Sequence, residues 1–278
     1  MLNLPQPPKW DIARVSHSTL VNADCFDVFP FIEDKSIDAI ICDLPYGVLN
    51  KGNVNAKWDS VIPFTPLWKQ YERIIKDNGA IVLFGQGMFS AELMISNKKI
   101  WRYNLIWDKV AKTGFLNANK MPLRQHEDIL IFYKKLCTYN PQMVKCEPHK
   151  RNHGKGKNEA PANSCYGKFI STPTIISDEK FPTSIISIPK PHKNTDYFHP
   201  TQKSIECLEY LIKTYTNEGD TVLDNTMGSG TTNLACLKLN RKSIGIEKEK
   251  QYYDVAVRRL SSYCGWQYRA WRSCRTEC

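Results

Sequence analysis

Two apolar rhythms alternate along the chain. Runs of four to six aliphatic and β-branched residues, at Ile37 to Cys42, Ala80 to Phe84, Tyr103 to Trp107, Asp128 to Tyr133, Thr221 to Asp224 and Ser243 to Ile246, read as buried strands. Between them lie stretches at helical spacing. Pro66 to Lys76 puts Leu67, Trp68, Tyr71, Ile74 and Ile75 on one face, with Gly79 in the stop position. Lys203 to Thr216 turns Ile205, Leu208, Leu211, Ile212 and Tyr215 inward, Leu234 to Leu239 is periodic, and Lys250 to Leu260 aligns Tyr253, Val257 and Leu260. Strands that alternate with helices predict an α/β fold around a parallel sheet. The rhythm lapses from about Lys134 to Ser184, and Met1 to Ser16 reads as a lead-in arm.

Two strand ends carry chemistry. The first strand closes on Asp43-Leu44-Pro45-Tyr46-Gly47, at the carboxyl edge where open α/β sheets hold their ligands. A carboxylate and backbone carbonyls there accept hydrogen bonds from an amino group, and a tyrosine ring offers a stacking face. A plain turn after a core strand fits the same residues. The strand ending at Asp224 runs through Asn225-Thr226-Met227-Gly228-Ser229-Gly230-Thr231-Thr232 into a helix, so the backbone passes close to a ligand and the helix start favours an anionic group. Asn233 stands where a third glycine would complete a dinucleotide motif, which disfavours a nicotinamide-dependent oxidoreductase. Glu247, nineteen positions after Gly228, is placed to take both hydroxyls of a ribose. A ribose with a carboxylate and no pyrophosphate describes S-adenosylmethionine.

Together these motifs resemble the amino-methylating DNA methyltransferases, which make N6-methyladenine or N4-methylcytosine. Asp43-Leu44-Pro45-Tyr46 resembles the catalytic D/N/S-P-P-Y/F tetrapeptide, and Asp224 to Gly230 resembles the D-P-F-x-G-S-G cofactor loop. The order, catalytic motif first, is that of the β group. Pro200, Thr201, Gln202 and Lys203 lie in a segment similar to its H-P-T-Q-K stretch, Asp24 and Cys25 in one similar to the element beside the cofactor's adenine, and Arg124 to Glu127 in one similar to its R-x-H-E element. Leu44 departs from the first proline, and Asn225-Thr226 from Pro-Phe.

The resemblance implies a Rossmann-like S-adenosylmethionine-dependent methyltransferase sheet with a small, loop-rich target-recognition insertion. It implies Asp43, Leu44, Pro45 and Tyr46 as the catalytic group. The implied cofactor residues are Asp24, Cys25, Pro200, Thr201, Gln202, Lys203, Asp224, Thr226, Gly228, Ser229, Gly230, Thr231, Thr232 and Glu247. Aspartate at 43 favours adenine in double-stranded DNA, flipped out of the duplex, over cytosine. A catalytically idle DNA-binding module is the rival of another class. Asp24 equally fits a helix cap for Phe26 to Phe31, and Trp107 and His126 read as a core tryptophan and a turn histidine rather than as groups facing a base.

Composition adds one strong fact. The 278 residues are 42% hydrophobic and 24% charged, ordinary for a globular protein, but the net charge of +10 and pI near 9.0 point to a polyanion. Seven Lys or Arg against one acid fall between Lys134 and Lys157, and Lys145, Lys150, Arg151, Lys155 and Lys157 are expected on DNA phosphates. No apolar run is long enough to span a bilayer and the first ten residues lack a leader's apolar core, so a cytoplasmic location without membrane contact is expected. The ten cysteines then read as reduced thiols. Cys146, His149, His153 and Cys165 match no common zinc finger and are expected to be DNA-contacting loop, with no metal in the reaction. The expected layout is an arm at 1–17, a catalytic half at 18–137, a recognition insertion at 138–198, a cofactor half at 199–262 and a basic tail at 263–278 with Trp266 and Trp271. A cognate restriction endonuclease and a homodimer are conceivable partners on the resemblance alone.

Overall fold

The computed structural model describes residues 2–3, 9–50, 58–151, 175–190 and 202–265. The chain divides into two compact units, residues 1–140 with 184–278, and residues 141–183.

The larger unit is built on a nine-stranded sheet. In chain order its elements are β1 (Asp11–Val15), β2 (Ser18–Asn22), α1 (Cys25–Val28), β3 (Ile37–Cys42), α2 (Phe64–Ile74), β4 (Ile75–Gly85), α3 (Met88–Ser96), β5 (Trp101–Thr113) and β6 (Arg124–Phe132). The smaller unit holds β7 (Val144–Arg151) and β8 (Ile175–Lys180), and the larger resumes with β9 (Ile185–Ser187), α4 (Ile205–Tyr215), β10 (Thr221–Asp224), α5 (Thr231–Lys238), β11 (Lys242–Glu247) and α6 (Lys250–Cys264). The strand order is β1-β2-β11-β10-β3-β4-β6-β5-β9, with β2, β11, β10, β3 and β4 all parallel. From β3 the chain moves outward to β4, whereas β10 and β11 fill the other side. The order therefore switches between β3 and β10, the point at which such sheets open a crevice at their carboxyl ends.

β3 is buried on both faces from Ala39 to Cys42, as that apolar run requires. Ile40 and Cys42 pack with Leu67, Trp68, Tyr71 and Ile74 of α2, while Ala39 and Ile41 pack with Leu208, Leu211 and Tyr215 of α4. Each fully buried large side chain of this kind contributes roughly 1.5–3 kcal/mol of transfer free energy. Asn233 is buried in α5, where its Nδ2 donates to Ser243 Oγ at 3.0 Å and Ser243 donates to Ser18 Oγ at 2.7 Å, tying helix to strands β11 and β2. This side chain fills the space opposite Gly245, the position at which a close-packed glycine stands instead of one at 233.

Five expectations change. Residues 11–15 of the arm pair antiparallel with β2 as the edge strand. Ile75 does not extend the helix: α2 stops at Ile74, and Ile75 already pairs with Ile37. Gly79 lies within β4, where a Cβ would stand 2.7 Å from the Asp38 carbonyl, so close strand approach rather than helix termination selects glycine there. His126 sits in strand β6, opposite Asp108, and not in a turn, while Trp107 is buried as expected and donates to the Ile188 carbonyl at 2.8 Å. The stretch of lapsed rhythm contains the antiparallel hairpin β7–β8.

Candidate active site

Asp43 follows β3 directly, at the switch point. Its Oδ1 accepts the Tyr46 hydroxyl at 2.9 Å, and its Oδ2 lies 2.9 Å from the Lys203 ammonium. Leu44, in place of proline, is buried in the core cluster beside α2, which accounts for an aliphatic residue there. Tyr46 stacks one ring face on Phe89 at 4.6 Å between centroids. Burial pushes its hydroxyl well above the usual tyrosine range, so it remains a donor. The next turn is held by buried Asp59, whose carboxylate accepts the amides of Gly47, Val48 and Leu49. The stretch after the strand end is thus pinned at its start, and 51–57 lie outside the described residues.

Lys203 does more than sit beside Asp43. It also contacts Glu127 Oε2 at 2.7 Å, and Glu127 Oε1 receives Lys109 at 2.9 Å, forming a buried row Lys109–Glu127–Lys203–Asp43. Burial pushes Glu127 up, but two lysines more than offset this and hold it at about 2. Asp43 has one cation, and burial leaves its carboxyl above the ordinary value despite Lys203. Burial pulls Lys203 down, and the two carboxylates reverse that and raise it. Removing one member of such a row leaves an uncompensated buried charge, at a cost of about 3–5 kcal/mol.

The glycine turn lies on the neighbouring strand end. Thr226, which stands in place of phenylalanine, donates its hydroxyl to the Asp43 carbonyl at 3.0 Å, joining the two strand ends directly. Asn225, in place of proline, accepts from the Tyr71 hydroxyl at 2.5 Å and from Cys42 Sγ at 3.0 Å beneath them. Asp224 accepts the Thr226 amide at 3.1 Å and bonds Thr232 across the turn, and burial lifts its carboxyl to about 6. Gly228 donates its amide to Glu247 Oε2 at 2.9 Å, and burial pushes Glu247 up to about 7. Gly230 adopts φ 74° at the start of α5, where a Cβ would stand 2.8 Å from that of Ala256. Arg259 of α6 donates to the Ser229 carbonyl at 2.6 Å, to Ser229 Oγ at 3.0 Å and to Thr231 Oγ1 at 3.1 Å. Gln202 accepts from Ser229 Oγ at 3.3 Å.

Asp24 caps α1 by accepting the Phe26 amide at 3.0 Å and meets Lys248 at 3.2 Å, and the Ala23 amide donates to the Glu247 carbonyl. This brings Asp24 and Cys25 beside Glu247. Burial pushes Cys25 to about 12 and Cys42 upward, so neither is a thiolate nucleophile at neutral pH. Pro200, Thr201, Lys155, Lys157, His153 and Cys165 lie outside the described residues. Lys145 is exposed on β7, and the backbones of Lys150 and Arg151 continue that strand. Among the described residues no group of three or more His, Cys, Asp or Glu side chains could hold a metal, and no helix is long and apolar enough to cross a membrane.

The members that sequence reasoning missed are Lys109, Phe89, Asp59 and Arg259. None lies in a motif; of the ion row, Asp43, Lys203 and Glu127 each fall in a motif and Lys109 does not.

Residues 37–258 match the DNA methylase family model for N6/N4 methyltransferases. The chain is 28% identical over 251 residues to the Type II methyltransferase M.HpaI of Haemophilus parainfluenzae, covering 87% of this chain and 74% of that one. It is 28% identical over 273 residues to M.HinfI of Haemophilus influenzae, covering 87% and 68%. Among solved structures, the M1.HpyAVI complex with S-adenosylmethionine aligns with TM-score 0.57 and 25% identity over 87% of this chain and 99% of that one. The cytosine-N4-specific PvuII DNA methyltransferase shares the fold, with TM-score 0.64 at 15% identity over 92% of this chain and 95% of that one. With an acid-tyrosine strand end hydrogen-bonded to a glycine turn, and a family match spanning most of its length, this chain belongs to the amino-methylating DNA methylases.

Proposed function

We propose that the protein transfers the methyl group of S-adenosylmethionine to the N6 amino group of adenine in double-stranded DNA. The observation that carries this reading is the Thr226–Asp43 hydrogen bond, which sets the acid and the glycine turn against each other at one switch point. Adenine's amino nitrogen is a weak nucleophile because its lone pair is delocalised into the ring. Asp43 and a main-chain carbonyl at Leu44 or Pro45 accept its two N–H bonds, and the lone pair is freed toward the sulfonium methyl. An ionised carboxylate has about four acceptor positions, so the bonds from Tyr46 and Lys203 leave room for the amine. In the transfer an N–C bond forms as the C–S bond breaks. Sulfur keeps the electron pair as a thioether, and the extra amino proton leaves by way of the carboxylate. Proximity and the fixed negative charge supply the acceleration.

The base reaches this position by leaving the duplex, at a cost of a few kcal/mol that pocket contacts offset. Phe89 covers one face of Tyr46, so the base stacks on the other. Residues 141–183 and their lysines position the DNA, and a partner endonuclease of a restriction–modification pair is consistent with the Type II relatives. Incubation with labelled S-adenosylmethionine and unmethylated phage DNA, followed by nucleoside analysis, is expected to place label in N6-methyladenine. Label in N4-methylcytosine would reassign the base, and absence of label would defeat the reading.

Glu247 provides a second test. Ribose hydroxyls donating to its carboxylate favour the charged form, so cofactor binding near pH 6 expels a proton and tightens as pH rises toward about 8. The empty chain behaves oppositely. Carboxyls raised by folding contribute stability that is full below their unfolded pKa of about 4 and lost as pH rises through their folded values, about 6 for Asp224 and about 7 for Glu247. Calorimetry in two buffers of different ionisation enthalpy measures the proton, and finding none released would remove Glu247 from the ribose.

A further inference from the structure

We propose that Lys203 is a positioning residue for methyl transfer: its ammonium, clamped between Glu127 and Asp43, keeps the Asp43 carboxylate charged and fixed in orientation, and Glu127 sets how much of that charge Asp43 receives. This rests on the reading that Asp43 accepts the target amine.

The lysine is built in rather than draped over the site. Its side chain is only 10% exposed, its Nζ lies 2.9 Å from Asp43 and 2.7 Å from Glu127, and it stands 4.9 Å from the Phe84 ring centroid and 5.8 Å from that of Tyr46. Asp43 ends the ion row. Its other oxygen meets the neutral Tyr46 hydroxyl, and among the described residues Lys203 is the one cation in contact with it. The remaining charges that face this cluster are Glu127 and Asp128 from β6, Asp224 from β10 and Lys109 from β5, with the Cys207 thiol of α4 against Lys203. Glu127 and Asp224 oppose ionisation of Asp43, and Asp128 acts on Tyr46 beside it. The side chains of Lys203, Glu127 and Asp43 are 10%, 15% and 22% exposed, so water screens them little and the nearest ammonium weighs most on the charge state. Glu127 competes for that ammonium, and Lys109 weakens the competition by pairing with the other Glu127 oxygen.

Two substitutions should therefore move the acid limb of the pH–rate profile in opposite directions. Methyl transfer to unmethylated phage DNA is measured across pH for Lys203→Met, Lys203→Arg and Glu127→Gln, together with the KM for S-adenosylmethionine. Lys203→Met is expected to raise the limb by at least about one pH unit, with more than tenfold loss of kcat at the acid end and recovery at alkaline pH. Lys203→Arg should restore most of it, Glu127→Gln should lower the limb, and the cofactor KM should stay within about twofold of the parent value throughout. A loss of kcat uniform in pH, a parallel rise in cofactor KM, or shifts of the same sign in both variants would overturn the proposal. If thermal melting shows that Lys203→Met does not fold, Glu127→Gln decides alone: a limb that does not fall overturns it. No transfer by the parent protein is a separate result that defeats the underlying assignment of Asp43.

Discussion

Asp43→Ala is expected to lower methyl transfer by about 10³-fold or more, the scale seen when a preorganised group facing developing charge is removed, while S-adenosylmethionine affinity changes no more than about threefold. The expectation follows from where the carboxylate lies. Its oxygens meet Tyr46 and Lys203, whereas the glycine turn touches Asp43 through its main-chain carbonyl, which the substitution leaves in place. Asp43→Asn should fall between the two, since an amide oxygen still accepts a hydrogen bond but carries no charge. Single-turnover label transfer and equilibrium cofactor binding, measured on the same preparations, separate the effects. If both drop together, the acid holds the strand end in shape and does not act on the amine.

Gly245→Ala attacks the other strand end. A Cβ at this position would stand 2.4 Å from Met227 Sδ and 2.7 Å from Asn233 Oδ1. Methionine can swing aside, but Asn233 is fully buried and bonded to Ser243. Overpacking of this kind costs about 1–3 kcal/mol, which lowers the melting temperature by roughly 2–4 °C per kcal/mol in a chain of this size. Cofactor affinity should fall as well. The Met227 amide bonds the Ile246 carbonyl, and the Gly228 amide bonds Glu247, so any shift of β11 moves the turn. Asn233→Gly in the same chain should recover part of the melting temperature. A single variant as stable as its parent would show that the contact is relieved without strain.

The strands at 37–42, 221–224 and 242–247 were legible because burial on both faces leaves short clusters rich in aliphatic, β-branched residues, Ala39 to Cys42, Val222-Leu223 and Ile244 to Ile246. The paired ends, Asp43 with Tyr46 and the turn after Asp224, were legible because their residue types are local and chemically distinctive. Lys109, Glu127 and Lys203 were not legible as a unit. Glu127 and Lys203 fall in separate motifs and Lys109 in none, and only the fold, with β6 returning antiparallel between β4 and β5 and the start of α4 reaching the same place, brings them to Asp43. Arg259 hid in the same way, as one basic residue on the polar flank of an amphipathic helix. Gly79 and Ile75 misled because a glycine shortly after an apolar helical face resembles a cap, and nothing local records that β3 passes so near. The β7–β8 hairpin was missed because its charged residues mask the alternation that a half-buried strand shows.

The order of the sheet also bears on how the protein is made. β2 and β3 lie close together in the chain but are held apart by β10 and β11, which leave the ribosome only after β4 to β9. Until residue 247 has emerged, two hydrogen-bonding edges stay bare, and those edges invite pairing with other chains. A product cut short before β10 is therefore not a smaller enzyme but an open template for aggregation.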